Sequence, residues 1–241
     1  MPSASAAGGA TPPLPPGIEP DRREYLAALN DVIGSRPEGD RVRAWLESPR
    51  AQGLWDRYVA LVARHSERLA IVGRGDRARL YTRHLLDSRN PLPFFDAEPG
   101  SLLDVGSGGG FPGIPLGIAW PGSSVTLLES RERKVGFLEL VVRELALPNV
   151  RAVCARLEDR GTRWREPQPF EAVTIRAVGD LPSLLMGVRD ALAPGARWVY
   201  FVGSSDRVEM LGDVLRRAGF KSAVRQGLFG GVFLVGRAPT S

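Results

Sequence analysis

The chain has 241 residues, of which 43% are hydrophobic and 24% are charged. These proportions are ordinary for a globular protein with a sizeable core, and no apolar run reaches the length of a membrane span. The single cysteine, Cys154, argues against a disulfide framework and against a cysteine metal cluster. We therefore expect a cytoplasmic protein that needs neither a membrane nor a metal.

The basic residues exceed the acidic ones and give a formal net charge of +5. Nearly all of the 32 basic residues are arginine, since only Lys134 and Lys221 are lysine. Arginine forks bind phosphate and stack on bases, which favours a nucleic-acid partner. A GC-rich genome produces the same bias, so the charge alone leaves both interpretations open.

The N-terminal part divides into two regions by composition. Residues 1–20 are rich in proline and small residues, and they predict a disordered leader. Residues 21–97 carry apolar side chains at helical spacing, for example Trp55, Tyr58 and Val62, and they predict a small helical cap.

Residues 98–241 alternate between strand-like and helix-like segments, which is the pattern of a doubly wound parallel sheet. Predicted strands lie at 101–105, 124–129, 150–154, 170–175 and 197–202, and predicted helices lie at 112–119, 131–146, 181–192 and 205–218. The segments 221–228 and 232–237 are too close for a crossover helix and predict an antiparallel hairpin across Gly230 and Gly231. A mostly parallel sheet that closes with such a hairpin is typical of the α/β fold of class I S-adenosylmethionine-dependent methyltransferases.

The first predicted strand runs directly into a turn with four glycines among five residues, from Gly106 to Gly110. Such a turn lets a ligand approach bare backbone at the carboxyl end of a parallel strand, where open α/β folds bind nucleotide-like ligands. Gly106, Gly108 and Gly110 fit the pattern for S-adenosylmethionine, whereas Gly108, Gly110 and Gly113 fit a dinucleotide fingerprint. The first pattern is favoured because Gly106 follows the strand at once and Gly108 does not.

Two polar residues are predicted at the same edge of the sheet. Glu129 ends the second strand, where a carboxylate accepts hydrogen bonds from both ribose hydroxyls of an adenosine. The alternative for Glu129 is a simple pairing with Arg131 or Arg133. Arg176 ends the fourth strand, where a guanidinium would meet the carboxylate of the donor or the substrate.

Several motifs together carry a family resemblance. They are Arg83-His-Leu-Leu-Asp-Ser88, the Gly-Phe-Pro-Gly of the segment Leu103–Leu116, Leu128-Glu-Ser130, Lys134-x-x-Phe-Leu138 and Arg176-Ala177. In these the chain resembles the bacterial small-subunit ribosomal RNA methyltransferase G family, also called the glucose-inhibited division protein B family. The resemblance extends from about Leu54 to Arg237, and its first two motifs are the most specific.

The resemblance implies methylation of N7 of a guanine in 16S rRNA, with S-adenosylmethionine as donor, the small ribosomal subunit as partner and no metal. The donor-contacting positions that it implies are Gly106, Phe111, Leu157, Glu158 and Arg176, and the motif pattern adds Gly108, Gly110 and Glu129. N7 of guanine carries a lone pair and no proton, so the reaction needs no general base. Hence we assign no catalytic residue, and Arg176 is a candidate only for positioning the reactants. We also expect the protein to be a monomer.

The chain departs from the family at five positions on the RNA side, which are Arg68, Ala70, Ile175, Val202 and Gly230. The family commonly has Asn, Thr and Ser at the first three, Lys at the fourth and a basic residue at the fifth. Two alternatives therefore stay open. One is a diverged methyltransferase that acts on another RNA or a small molecule, and the other is a module that binds S-adenosylmethionine without turnover.

His84 lies in the most specific motif, and the resemblance implies a position near the donor pocket. We favour a structural role, in which it is bonded to Asp87 or to the backbone of the glycine turn. His65 is predicted to lie at the surface. The two histidines and the one cysteine are too far apart in the sequence to suggest a metal site.

Overall fold

A seven-stranded sheet forms the centre of the molecule in the computed structural model, which describes residues 14, 17–35, 44, 48–157, 168–176, 181–202, 208–217 and 220–240. The strands are β1 (Ser101–Val105), β2 (Ser124–Glu129), β3 (Val150–Cys154), β4 (Phe170–Arg176), β5 (Leu192–Val202), β6 (Lys221–Gln226) and β7 (Val232–Arg237). Their order across the sheet is β3-β2-β1-β4-β5-β7-β6.

The direction of the strands confirms the predicted fold class. β1 to β5 run parallel to their neighbours, whereas β7 runs antiparallel to both β5 and β6. The chain moves from β1 to one edge of the sheet and then returns to β4 on the other side of β1. The strand order therefore reverses at the carboxyl ends of β1 and β4, which is where open α/β sheets bind ligands.

The helices flank this sheet. The α-helices of the described part are α1 (Glu19–Ser35), α2 (Pro49–Leu69), α3 (Leu86–Arg89), α4 (Gly113–Ala119), α5 (Glu132–Glu144), α6 (Leu181–Val188) and α7 (Val208–Arg217). A π-helical segment, Leu80–Leu85, runs directly into α3, and single 3-10 turns lie at Arg74–Asp76, Leu92–Phe94 and Arg189–Ala191. The start of α2 is fixed by Ser48, whose hydroxyl accepts a hydrogen bond from the Ala51 amide at 3.3 Å.

The predicted helical segments before β1 pack on one face of the sheet. Trp55 and Tyr58 of α2 are fully buried in a core that also contains side chains of α4, α5 and β2. The Trp55 indole donates a hydrogen bond to the carbonyl of Pro115 in α4 at 3.3 Å. A second core on the other face is formed with α6 and α7. Most of the predicted leader, 1–20, lies outside the described residues, and α1 begins at Glu19.

Three predicted boundaries are wrong. The helix predicted to reach residue 192 ends at Val188, and β5 begins at Leu192 instead of 197, with a register shift in its pairing to β4. The helix predicted to reach residue 146 ends at Glu144, because Ala146 adopts a left-handed backbone conformation with φ +49°. The last helical segment of the predicted cap is also not an ordinary α-helix, since it is π-helical over Leu80–Leu85 and the Leu86 amide that follows donates to the Tyr81 carbonyl five residues back.

The terminal hairpin is tied to the helical segments through Asn90. Its side-chain oxygen accepts a hydrogen bond from the Phe229 amide at 2.6 Å, and its side-chain nitrogen donates to Asp87 at 3.3 Å. Gly227 leaves no room for a side chain here, since an added Cβ would lie 2.6 Å from Asn90 atoms. The hairpin turn and the motif around Asp87 are therefore held together.

Candidate functional site

The glycine turn after β1 has the backbone conformation that its sequence predicts. Gly106, Gly108 and Gly110 have φ values of +69°, +56° and +96°, all in the left-handed region that favours glycine. The amides of Gly106 and Ser107 both donate to the carbonyl of Leu128, at 2.8 and 3.0 Å. The turn is therefore held against the end of β2.

The Glu129 carboxylate lies beside this turn and is only 7% exposed. One of its oxygens accepts the Gly108 amide at 3.0 Å, and the other accepts the Arg131 amide at 2.9 Å. Among the described residues Glu129 forms no ion pair, so the alternative of pairing with Arg131 or Arg133 is not what the structure shows. The carboxylate instead fixes the turn, with its charge held at the wall of a cavity.

That cavity has a volume of about 390 Å³ and opens at the carboxyl ends of β1 and β2. Its lining comprises Val105, Gly106, Gly108, Leu128, Glu129, Ser130, Arg131, Lys134, Ala155, Arg156, Leu157 and Leu184. An added Cβ at Gly108 would lie 3.8 Å from the Lys134 Nζ, so a side chain there would take up space in the cavity. The lining therefore combines bare glycine backbone, one carboxylate, leucine side chains and three basic side chains.

Asp104 supports the turn from behind. It is 1% exposed, accepts a hydrogen bond from the Thr174 hydroxyl of β4 at 2.8 Å, and accepts the Gly113 amide at 3.3 Å. Burial raises the pKa of Asp104 to about 6, against the opposing effect of these hydrogen bonds. An added Cβ at Gly113 would lie 2.8 Å from an Asp104 carboxylate oxygen, so the close approach of α4 to β1 requires glycine here.

Tyr58 holds the turn from the side of the helical cap. Its hydroxyl is buried and donates to the Gly109 carbonyl at 2.7 Å, and burial raises the pKa of Tyr58 well above its ordinary value. Phe111, which the resemblance implies as a donor contact, packs against Tyr58 and His84 with ring centroids 4.9 and 5.1 Å away. Phe111 is not part of the cavity lining and instead fills the space between turn and cap.

Arg176 reaches from the end of β4 to the motif Arg83–Ser88 of the helical cap, here called the cap motif. Its guanidinium donates to the Asp87 carboxylate at 3.2 Å and to the carbonyls of Arg83 and His84 at 3.2 and 3.4 Å. It also lies 3.2 Å from the Nδ1 of His84, which must accept because a guanidinium only donates. The neutral ring therefore carries its proton on Nε2, 3.5 Å from the Asp76 carboxylate.

Burial lowers the pKa values of two groups in this cluster, His84 and Arg176. It lowers the pKa of His84 to about 4, with the Arg176 charge as the next cause, and only the Asp76 carboxylate opposes this strongly. Burial also lowers the pKa of Arg176 below its ordinary value. His84 is thus a neutral structural residue, although its partners are Arg176 and Asp76 rather than Asp87 or the backbone of the glycine turn.

The structure brings together five of the predicted donor-binding residues. Gly106, Gly108, Glu129 and Leu157 line the cavity, and Gly110 lies in the same turn, with the Tyr58 hydroxyl 3.0 Å from the position of an added Cβ. Glu158 lies outside the described residues, and Arg176 points to the cap motif.

Sequence reasoning missed the roles of Tyr58, Lys134 and Leu184. Tyr58 occupies an ordinary apolar helix position, and nothing in a single sequence indicates that its hydroxyl meets the turn. Lys134 stands out in the sequence only as part of a family motif, and its place in the first turn of the helix that follows Glu129 is the one signal that it lies near the cavity.

Comparison with known proteins gives a family match. The model of the family described as rRNA small subunit methyltransferase G matches residues 52–222. The chain belongs to this family. The ribosomal RNA small subunit methyltransferase G of Chromobacterium violaceum is 37% identical over 158 residues, which are 66% of this chain and 73% of that protein. The enzyme of the same name from Pseudomonas aeruginosa is 34% identical over 78% of this chain and 80% of its own length.

Solved structures agree on the fold. A SAM-dependent methyltransferase from Aquifex aeolicus superposes with a TM-score of 0.51 at 18% identity, covering 64% of this chain and 90% of its own. At this identity the likeness concerns the fold alone. With the sheet order, it confirms the class I S-adenosylmethionine-dependent methyltransferase architecture.

The five positions that depart from the family lie in different environments. Arg68 and Ala70 are exposed at the end of α2, and Gly230 is exposed in the hairpin turn. Val202 is half-buried at the end of β5, whereas Ile175 is completely buried in β4. The change at 175 therefore affects core packing and not a surface that RNA could touch.

Two further observations concern membrane spans and metal sites. None of the helices in the described ranges combines the length and the hydrophobicity needed to cross a membrane. The same residues contain no group of three or more His, Cys, Asp or Glu side chains arranged to hold a metal ion.

Proposed function

We propose that this protein transfers a methyl group from S-adenosylmethionine to N7 of a guanine in 16S rRNA. The observation that carries the proposal is the cavity lined by the glycine turn and the buried Glu129, in a chain that belongs to the rRNA small subunit methyltransferase G family. A ribosomal substrate implies a cytoplasmic protein. We also propose that it acts as a monomer.

The lining residues fit the chemistry of the donor. The Glu129 carboxylate would accept hydrogen bonds from the ribose hydroxyls, since charge-assisted bonds to a buried carboxylate are strong. Leu157 and Leu184 provide apolar contacts of the kind that an adenine ring needs. The bare backbone of Gly106 and Gly108, which both line the cavity, would lie against the methionine part of the molecule.

The proposed reaction is a direct displacement. S-adenosylmethionine supplies an electrophilic methyl group on a positively charged sulfur. The N7 lone pair forms the new N–CH₃ bond while the S–CH₃ bond breaks, the thioether leaves neutral and the positive charge passes to the guanine. No proton moves in this step, so a general base is unnecessary, and the protein contributes alignment.

The described side chains at the site have positioning roles, as a reaction without a general base requires. Glu129, which is the one carboxylate in the described lining, already accepts two backbone amides and serves to hold the turn. Arg176 would act as a positioning residue, because it ties the carboxyl end of β4 to the cap motif through Asp87 and His84.

The test is methyl transfer in vitro from tritiated S-adenosylmethionine to small ribosomal subunits and to naked 16S rRNA that lack the modification. We expect label in 16S rRNA that digests to 7-methylguanosine by mass spectrometry. Label in a different nucleoside, or in a small molecule only, would favour a diverged methyltransferase. Binding of S-adenosylmethionine without any transfer would favour the module without turnover, and both results would overturn the proposal.

A further inference from the structure

A second groove, with a volume of about 500 Å³, lies between the C-terminal half of α2 and the first two turns of α5. Its apolar lining is contributed by Leu69, Phe137 and Leu140. Arg68 and Arg133 contribute the charge, one from each helix.

Both guanidinium groups are available to a ligand. Arg68 and Arg133 are exposed, and neither side chain forms a hydrogen bond or an ion pair with any residue in the described ranges. The described lining of the groove contains no carboxylate. The carboxylate of Glu67, which neighbours Arg68 in the chain, pairs instead with Arg77, with Oε1 and Nη1 3.8 Å apart. Two unpaired guanidinium groups beside an apolar surface favour an anionic ligand.

Gly136 also lines the groove and contributes no side chain to it. This residue lies inside α5, where glycine destabilises a helix relative to alanine. An added Cβ at Gly136 would have no atom within 4 Å, so no close packing explains the glycine. Its effect is to keep the groove open between the two arginines.

The groove adjoins the methyl-donor cavity. The first turn of α5 separates the two, with Arg131 and Lys134 lining the cavity and Arg133 lining the groove. The two sites therefore lie on either side of the same helical turn, at the edge of the sheet where the proposed reaction takes place.

We propose that the groove binds the sugar–phosphate backbone of the RNA substrate, with Arg68 and Arg133 contacting phosphate oxygens near the target guanine. This inference rests on the proposed function and deepens it, because it names a surface by which the enzyme holds its RNA. Phosphate contacts from arginine supply affinity and orientation without sequence information.

The salt dependence of RNA binding tests this proposal without requiring catalysis. Filter binding of naked 16S rRNA across a salt series is measured for wild-type protein and for the double variant Arg68→Gln, Arg133→Gln. Each lost phosphate contact should reduce the slope of log K against log[salt] by roughly 0.7 to 0.9. The matched control is the double variant Arg143→Gln, Arg217→Gln, which removes two exposed arginines, of α5 and α7, that lie outside the groove.

We expect the double variant to bind 16S rRNA about tenfold or more weakly than the control at about 0.1 M salt, with unchanged affinity for S-adenosylmethionine. Equal slopes and affinities in the double variant and the control would overturn the proposal. If the wild-type protein binds RNA in this way but transfers no methyl group, the proposed function fails and the groove proposal still stands.

A second variant addresses the shape of the groove. Gly136→Glu adds a negatively charged side chain where the structure leaves open space, and replacing a helical glycine should not impair folding. We expect a higher KM for RNA with an unchanged affinity for S-adenosylmethionine, whereas Gly136→Ala should behave like wild type. An unchanged KM in Gly136→Glu would contradict an RNA strand in this groove.

Discussion

His84 illustrates how burial decides the role of a residue that the sequence leaves ambiguous. Its ring lies between the Arg176 guanidinium at 3.2 Å and the Asp76 carboxylate at 3.5 Å, and it packs on Phe111. Because Arg176 can only donate, protonation of Nδ1 would destroy this contact and place two positive charges side by side. The residue therefore acts as a neutral acceptor that orients Arg176.

The first prediction concerns pH and His84→Gln. The folded-state pKa of about 4 is below the ordinary value of 6.5, so the unfolded chain binds the extra proton between these values. The stability that His84 contributes is present above pH 6.5 and is lost as the pH falls towards 4. Wild type should therefore lose more unfolding free energy than His84→Gln between pH 7.5 and 5.0, measured by urea unfolding.

The contribution of Asp104 to the unfolding free energy changes with pH in the opposite direction over the same pH range. The effect of His84 must therefore be measured as the difference between two proteins that both contain Asp104. Its raised pKa of about 6 means that the folded protein takes up a proton first, and stability rises as the pH falls through that value. Both proteins contain Asp104, so its contribution cancels in the difference. An equal loss in wild type and His84→Gln would show that His84 is not held neutral.

The second prediction concerns Tyr58→Phe. This change removes the hydroxyl that donates to the Gly109 carbonyl at 2.7 Å and leaves a buried acceptor without its partner. We expect a loss of about 1–2 kcal/mol in unfolding free energy and a several-fold weaker affinity for S-adenosylmethionine, because the turn loses a fixed contact.

The control for this variant is Tyr81→Phe. The Tyr81 hydroxyl donates to Asp56 at 2.7 Å, within the helical segments and away from the glycine turn. Tyr81→Phe should lower the unfolding free energy without weakening the affinity for S-adenosylmethionine. If both tyrosine variants reduce the affinity for S-adenosylmethionine equally, the Tyr58 hydroxyl has no particular role in shaping the turn.

The ends of helices show where sequence patterns stop being informative. Apolar periodicity extends through Leu145 and Leu147, and both side chains are buried, yet α5 ends at Glu144. The end is set by the left-handed conformation of Ala146, after which the Leu147 amide donates back to Val142 at 3.0 Å. A single sequence gives no sign of this, since alanine is a helix former.

The third prediction follows from that strained alanine. Ala146→Gly should raise the unfolding free energy by about 0.5–1 kcal/mol, because glycine adopts φ +49° without the steric cost that alanine has. Ala63→Gly, inside the right-handed α2, should lower it by a similar amount. Thermal or urea unfolding of both variants checks the contrast, and a loss of stability in Ala146→Gly would contradict the assigned conformation.

At the scale of the whole molecule, the sequence predicts the sheet and the donor-side residues because both depend on local signals. Alternating strands and helices, glycines after β1 and a carboxylate at the end of β2 are readable along the chain. Contacts between distant segments are not readable in this way. The bonds of Arg176 to the cap motif and of Tyr58 to the turn join residues 89 and 51 positions apart, and only the folded structure shows them.

The fourth prediction tests the donor cavity, on which both the proposed function and the RNA groove depend. Gly108→Val places a branched side chain at φ +56° in the lining of the cavity, with its Cβ 3.8 Å from the Lys134 Nζ. Gly75→Ala is the matched control, because an added Cβ there has no atom within 4 Å.

Isothermal titration calorimetry with S-adenosylmethionine is the most direct measurement. Wild type and Gly75→Ala should bind one molecule per chain with equal affinity, and Gly108→Val should bind at least tenfold more weakly while its circular dichroism spectrum stays that of a folded protein. Equal binding by Gly108→Val and wild type would contradict the assignment of this cavity to the donor.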